Sequence, residues 1–104
     1  MNSIPQITAN ELHERLAAGN IPVMIDVRED HEVAVGMIPG AVHIPMGDIP
    51  ARIDDIPLDE EVVFICRSGA RSQRVCEYLR QLGYENNANL SGGMIDWNVL
   101  EETQ

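Results

Sequence analysis

The sequence contains no lysine, and its seven basic residues are all arginine. They are outnumbered by 17 acidic residues, which gives a formal net charge of −10 at pH 7. A protein this acidic repels the phosphates of nucleic acids and the surface of anionic membranes. The composition therefore predicts no nucleic-acid partner and no membrane partner.

Cysteine and long apolar runs are also scarce. Two cysteines are too few for a disulfide framework, and the longest apolar runs are far shorter than a membrane span. The N-terminal stretch MNSIPQITANEL lacks the basic and then apolar segments of a secretory signal. We therefore expect a cytoplasmic protein. A length of 104 residues suits one domain, spanning residues 1–104.

Short apolar segments alternate with segments of helical periodicity along the chain. Residues 23–27, apart from Asp26, and residues 62–65 are apolar at successive positions, as in strands covered on both faces of a parallel sheet. Shorter strands are predicted within 4–8, 38–45 and 88–90, and helices over 8–19, 29–36, 47–56, 71–83 and 94–102. Gly83 is expected to be the residue just beyond the end of its helix. This alternation predicts an α/β domain with a parallel sheet.

The segment VVFICRSGARSQRVCEYL, residues 62–79, ends a predicted buried strand on Cys66. Ligands of parallel sheets bind beyond the carboxyl ends of the strands. The tight turn between Cys66 and a helix beginning near Arg71 directs backbone N–H groups inward, and Gly69 permits a positive φ there. Such surroundings lower a cysteine pKa from about 8.5 into the range of about 3.5–7.5. We therefore predict a reactive thiolate.

Charge and periodicity separate the two cysteines. Residues 67–76 hold three arginines and no acidic residue, and a small positive patch in an acidic body suits a small anion. Cys66 could be a buried core thiol or a functional thiolate, and its basic and glycine neighbours favour the second interpretation. For Cys76 a core position is favoured, because it shares the inward face of the predicted helix with Leu79 and Leu82.

The sequence resembles the rhodanese family of sulfurtransferases over nearly its whole length. The motifs that match, in order, are DVRE (26–29), Glu32, IPGA (38–41), IP (44–45), CRSGAR (66–71) and LSGGMIDW (90–97). Each motif is weak alone, whereas their order and spacing together are specific. The resemblance implies a single rhodanese-like domain with a five-stranded parallel sheet flanked by helices on both faces.

The resemblance also implies the residues of a site. Cys66 would be the catalytic residue, which carries sulfane sulfur as a persulfide. The loop that binds substrate would consist of Arg67, Ser68, Gly69, Ala70 and Arg71. Its amides would surround the outer sulfur, and its two arginines would bind an anionic donor such as thiosulfate. Structural support would come from Asp26, Arg28 and Ser72.

The family implies a thiophilic acceptor of the sulfur. In vitro this acceptor would be cyanide, and in nature it would be a protein or a small thiol. No cofactor is implied. No metal is expected either, because the three histidines lack metal-ligand spacing: His13, His31 and His43.

Two other classes of function stay open. One is a thiol phosphatase or arsenate reductase of related fold. Those phosphatases have one residue more between cysteine and arginine than the four that separate Cys66 from Arg71 here. The shorter loop favours a single sulfur over a tetrahedral oxyanion. The other class is an interaction module, or a persulfide relay that docks to a partner; inactive relatives commonly lack the cysteine that this chain keeps.

Overall fold

The computed structural model describes residues 3–103, and these form one sheet with helices on both sides. The strands are β1 (Gln6–Ile7), β2 (Val23–Asp26), β3 (Val42–His43), β4 (Val62–Ile65) and β5 (Asn87–Leu90). The helices are α1 (Ala9–Ala17), α2 (Asp30–Val33), α3 (Ala70–Gln81) and α4 (Gly93–Glu102). Within residues 3–103, no helix is both long and apolar enough to cross a membrane.

The five strands lie in the order β1-β5-β4-β2-β3, and every pair is parallel. The predicted five-stranded parallel sheet is therefore confirmed. β4 is central and buried at all four positions, as expected for a strand covered on both faces. Because the sheet is parallel, the carboxyl ends of β2 and β4 lie at the same edge, and the candidate site residues follow both strands.

Side chains alternate along β4 between two cores. Val62, Phe64 and Cys66 pack with α3 on one face, whereas Val63 and Ile65 pack on the other face with residues of α1 and α4. This alternation follows from the two-residue period of a strand. It places Cys66, the next residue of the same phase, on the side where α3 begins.

The predicted helix over residues 47–56 is wrong. The structure has two separate 3₁₀ turns there, Met46–Asp48 and Ile53–Asp55. Pro50 lies between them, and because proline has no N–H it removes a helical hydrogen bond. Ile49 and Ile56 are nevertheless buried. The spacing of the apolar residues therefore indicated which side chains are buried, although it indicated the wrong backbone conformation.

The helix that follows Cys66 begins at Ala70, one residue before the predicted start. It ends at Gln81, and Leu82 is its C-cap residue. Leu82 was expected to face inward, yet it is 51% exposed, because the helical periodicity no longer applies once the helix has ended. Gly83 follows with a φ of 95°, in agreement with its predicted place just beyond the helix.

Candidate active site

Cys66 directly follows β4, and its side chain is 1% exposed. Its Sγ accepts hydrogen bonds from the Gly69 N–H at 3.1 Å and from the Ser72 hydroxyl at 3.2 Å. Gly69 is the N-cap of α3 and Ser72 lies in the first turn, so the sulfur faces the positive end of the helix. The thiol is thus buried and also bonded to donors that favour its anionic form.

The environment changes the acidity of this thiol in two opposing ways. Burial raises the pKa of Cys66, because desolvation disfavours the thiolate. Hydrogen bonds from the Ser72 hydroxyl and from the N–H groups of Ser72, Gly69 and Ser68 lower it. The hydrogen bonds outweigh the burial, so the pKa of Cys66 lies below its ordinary value.

Two glycines allow the loop to take this shape. Gly69 has a φ of 98°, and a Cβ there would lie 3.3 Å from the Gly92 nitrogen and the Leu90 oxygen. Gly93, the first residue of α4, passes so close to the carbonyls of Cys66 and Arg67 that a Cβ would collide with both oxygens. The N–H groups of the next two residues in α4 donate to those same carbonyls, at 2.9 and 3.0 Å.

The basic residues of the loop occupy two different environments. Arg67 is exposed, and it follows Cys66 directly at the mouth of the loop. Arg71 lies in α3 and pairs with Glu32 of α2, with Nη1–Oε1 at 2.7 Å and Nη2–Oε2 at 2.8 Å. The pKa of Glu32 falls to about 2, chiefly through this contact. Direct contact between Arg71 and a donor stays a prediction, because both terminal nitrogens already bind Glu32.

Of the other loop residues, Ser68 is exposed and contributes its N–H to the thiol, and Ala70 is the exposed first residue of α3. The contribution of Ser68 to the thiol therefore comes from its backbone, whereas the side-chain donor to the sulfur is Ser72.

Asp26 and Arg28 form a buried pair at the end of β2. The Asp26 carboxylate accepts hydrogen bonds from the backbone N–H, the Nε and the Nη2 of Arg28. Arg28 Nη2 also donates to the Gly36 carbonyl at 2.7 Å, beyond α2. The pair thereby fixes both ends of the segment that carries Glu32, which in turn holds Arg71.

Asn89 was missed by the sequence analysis. It is 4% exposed in β5, its Oδ1 accepts from the Ser72 hydroxyl, and its Nδ2 donates to the Gly69 carbonyl at 3.1 Å. It therefore touches both residues that bond to the sulfur. A polar residue in a strand buried at every position was the available signal, because buried polar groups are uncommon and need partners.

Cys76 lies in α3 and is fully buried, which confirms its expected core position. Desolvation raises the pKa of its thiol to about 12, so this thiol stays protonated at neutral pH. Both cysteines are free. Within residues 3–103, no cluster of three or more His, Cys, Asp or Glu side chains is placed to bind a metal ion.

Comparison with known proteins gives relatives along the whole domain. The chain is 51% identical to YtwF of Bacillus subtilis, named as a sulfurtransferase, and the match covers 90% of each chain. It is 46% identical to a sulfurtransferase of Allochromatium vinosum, covering 90% of this chain and 88% of that one. It is 31% identical to human thiosulfate:glutathione sulfurtransferase, covering 93% and 96%.

A solved structure and a family model agree with these relatives. The crystal structure of a Staphylococcus saprophyticus protein superimposes with a TM-score of 0.85 at 40% identity, covering 90% of this chain and 93% of that one. The family model described as the Rhodanese-like domain matches residues 8–99. The chain therefore belongs to the rhodanese-like family of sulfurtransferases.

Proposed function

We propose that this sulfurtransferase carries sulfane sulfur as a persulfide on Cys66 and takes it from thiosulfate. The observation that carries the proposal is the position of the Cys66 sulfur at the start of α3, where it accepts from the Gly69 N–H and the Ser72 hydroxyl. A thiol with a lowered pKa is the nucleophile that sulfur transfer requires.

The loading step forms one bond and breaks another. The Cys66 thiolate attacks the outer sulfur of thiosulfate, the new S–S bond forms, and sulfite leaves with the electron pair of the old S–S bond. The negative charge of Cys66 then lies on the outer sulfur of the persulfide. The N–H groups of Ser68, Gly69 and Ser72 already act on the thiol at the start of α3, and N–H groups at a helix N-terminus stabilise an anion in front of them.

Two features support thiosulfate as the donor. The first is the exposed cation Arg67 at the mouth of the loop, which is suited to the anionic end of a small donor. The second is similarity over nearly the full length to the human protein named for thiosulfate and glutathione. That name also supports a small thiol as the acceptor: its thiolate attacks the outer sulfur and leaves Cys66 as a thiolate again.

A site at the carboxyl ends of parallel strands would also suit a phosphatase, but the loop after Cys66 does not suit one. Four residues separate Cys66 from Arg71, and Arg71 is turned to Glu32. A phosphatase needs a wider loop, with the arginine directed at the phosphate oxygens. We therefore expect sulfur transfer to exceed hydrolysis of an aryl phosphate by a wide margin.

A turnover assay tests the proposal. The wild type is mixed with thiosulfate and cyanide, then with thiosulfate and a small thiol, and sulfite release is followed. Cys66→Ser is the inactive control, and aryl-phosphate hydrolysis is measured with the same preparation. Sulfite release that depends on Cys66 supports the proposal. Phosphate release faster than sulfite release, or sulfite release undiminished in Cys66→Ser, contradicts it.

A further inference from the structure

The Ser72 hydroxyl has two acceptors and one hydrogen. Its oxygen lies within hydrogen-bond distance of Cys66 Sγ, at 3.2 Å, and of Asn89 Oδ1. A serine hydroxyl donates one hydrogen bond at a time, so it is directed either to the sulfur or to the amide oxygen.

The orientation of the Asn89 amide is fixed by its other contacts. Its Nδ2 donates to the Gly69 carbonyl at 3.1 Å and to Gln6 Oε1 at 2.9 Å. Gln6 is oriented in turn, because its Nε2 donates to the Ile4 carbonyl and to Gln73 Oε1. Exchanging the nitrogen and oxygen of Asn89 would set two acceptors against each other. Its Oδ1 must therefore face Ser72, where it acts as an acceptor.

We infer that Asn89 is a positioning residue that competes with Cys66 for the Ser72 hydrogen, so that the hydroxyl turns as charge moves onto and off the sulfur. This inference rests on the proposed persulfide chemistry for its use in the reaction, and on the two contacts of Ser72 for its existence.

The charge state of the sulfur decides the direction of the hydroxyl. When Cys66 is a thiolate, its charge attracts the hydrogen of Ser72, and the buried Asn89 Oδ1 loses its donor. When Cys66 is a thiol or the inner sulfur of a persulfide, it is a weak acceptor, and Ser72 donates to Asn89. A buried acceptor without a donor is costly, so Asn89 disfavours the empty thiolate and favours the loaded state.

The charged groups near the sulfur come from neighbouring elements and are unchanged by this motion. Arg71 of α3 interacts electrostatically with Cys66 and is paired with Glu32 of α2. The Asp26–Arg28 pair stands at the end of β2, beside β4. Ser72→Ala and Asn89→Leu replace one uncharged side chain with another, so they leave the two ion pairs near the sulfur in place.

The test measures the pH dependence of Cys66 alkylation by iodoacetamide in the unloaded full-length protein. Ser72→Ala should move the midpoint to higher pH and slow alkylation below it by about tenfold or more, because a hydrogen bond to the thiolate is lost. Asn89→Leu should move the midpoint the other way, to lower pH, because Ser72 then donates to the sulfur without competition. The two substitutions combined should behave as Ser72→Ala alone.

Asn87→Leu is the matched control. Asn87 is 3% exposed in the same strand, but its side chain binds Arg80 and the Cys76 carbonyl, away from the sulfur. It should lose stability without moving the Cys66 midpoint. A midpoint in Asn89→Leu that is unchanged or higher than in the wild type overturns the inference, because a loop that is merely loosened loses donors to the thiolate.

Asn89→Asp is the variant used for the same alkylation measurement if Asn89→Leu does not fold. The carboxylate keeps the acceptor and holds the Ser72 hydrogen more strongly, so the midpoint should rise, and this rise should shrink when Ser72→Ala is added. An equal rise in both backgrounds overturns the inference.

The loaded state gives an independent readout. Persulfide protein is equilibrated with sulfite, and the ratio of loaded to empty protein is read by mass; Asn89→Leu should shift it toward the empty form relative to Asn87→Leu. An equal ratio in the two variants overturns the role in loading. Alkylation needs no persulfide, so a wild type that never loads contradicts the proposed function and leaves the alkylation result to decide the inference.

Discussion

Arg71 and Glu32 are 39 residues apart in the chain and form a two-point ion pair, at 2.7 and 2.8 Å. The contact joins α3, which begins directly after residues 67–69, to α2, which follows β2. Both side chains are partly buried, with 29% of Arg71 and 17% of Glu32 exposed. The pair therefore joins the loops that follow β2 and β4 at the candidate active-site edge.

Glu32→Gln should weaken sulfur transfer and lower the free energy of unfolding by about 1 kcal/mol at pH 7. Its folded-state pKa is depressed to about 2. The stability it contributes is therefore present above its ordinary pKa and is lost as pH falls toward 2. Unfolding of wild type and variant should differ at pH 7 and converge near pH 2.

Glu61→Gln is the control for that experiment, because Glu61 forms a similar two-point pair with Arg15 at 2.8 and 2.6 Å. Arg15 lies in α1 and Glu61 directly precedes β4, at the end of that strand opposite to Cys66. It should affect stability and leave sulfur transfer intact. Sulfur transfer that falls equally in Glu61→Gln would show that the Arg71–Glu32 contact has no special role.

Arg67→Ala should lower kcat/KM for thiosulfate by about tenfold or more, since a contact to an ionic group contributes roughly 1.5–3 kcal/mol. An uncharged or persulfide donor should lose less, because it lacks the dianionic charge. The matched control is Arg74→Ala, because Arg74 is an exposed arginine in the second turn of α3. Steady-state kinetics with both donors decides the matter, and equal losses for both donors would assign Arg67 to loop shape.

Gly69→Ala should cost both stability and activity. The φ of 98° disfavours an L side chain, and the added Cβ would press on the Gly92 nitrogen and the Leu90 oxygen. Gly83→Ala provides the control, because Gly83 has a φ of 95° with nothing within 4 Å of an added Cβ. Each should lose about 1 kcal/mol or more of unfolding free energy. Only Gly69→Ala should lose sulfur transfer, and equal activity in the two variants would contradict the proposed loop geometry.

Cys76→Ala should leave persulfide formation on Cys66 intact and lower the free energy of unfolding by about 1–3 kcal/mol through lost core packing. The thiol is fully buried and its pKa is raised to about 12, so it is a poor nucleophile at neutral pH. Turnover of the variant and peptide mapping of mildly oxidised wild type are the measurements. A Cys66–Cys76 disulfide that forms without unfolding would show that the two cysteines act as a pair.

The central strand, the turn after Cys66 and the start of the next helix could be predicted because their signals are local. A run of four apolar residues, a cysteine at its end, a glycine and a helical pattern follow one another within residues 62–79. The inward position predicted for Leu82 was wrong, since the helix ends at Gln81 and helical periodicity does not apply to the C-cap residue. The helix predicted over residues 47–56 is divided at Pro50, and this could have been expected because proline has no N–H to donate within a helix.

The parts that could not be predicted depend on contacts between distant segments. Nothing in the spacing of Glu32 and Arg71 indicates that α2 and α3 bring them together. Asn89 lies in β5, which is next to β4 in the sheet, and its side chain contacts Gly69. Gly93 begins α4, directly beyond β5, and lies against the carbonyls of Cys66 and Arg67. Their residue types were visible in the sequence, but the fold was needed to show what they contact.

Whether Cys66 carries the sulfur is decided by intact-protein mass after mixing with thiosulfate. The wild type and Cys76→Ala should each gain the mass of one sulfur atom, mapped to the peptide that contains Cys66 and removed by cyanide. Cys66→Ser should gain nothing. A wild type that gains no sulfur, or a Cys66→Ser variant that gains as much as the wild type, would contradict the account.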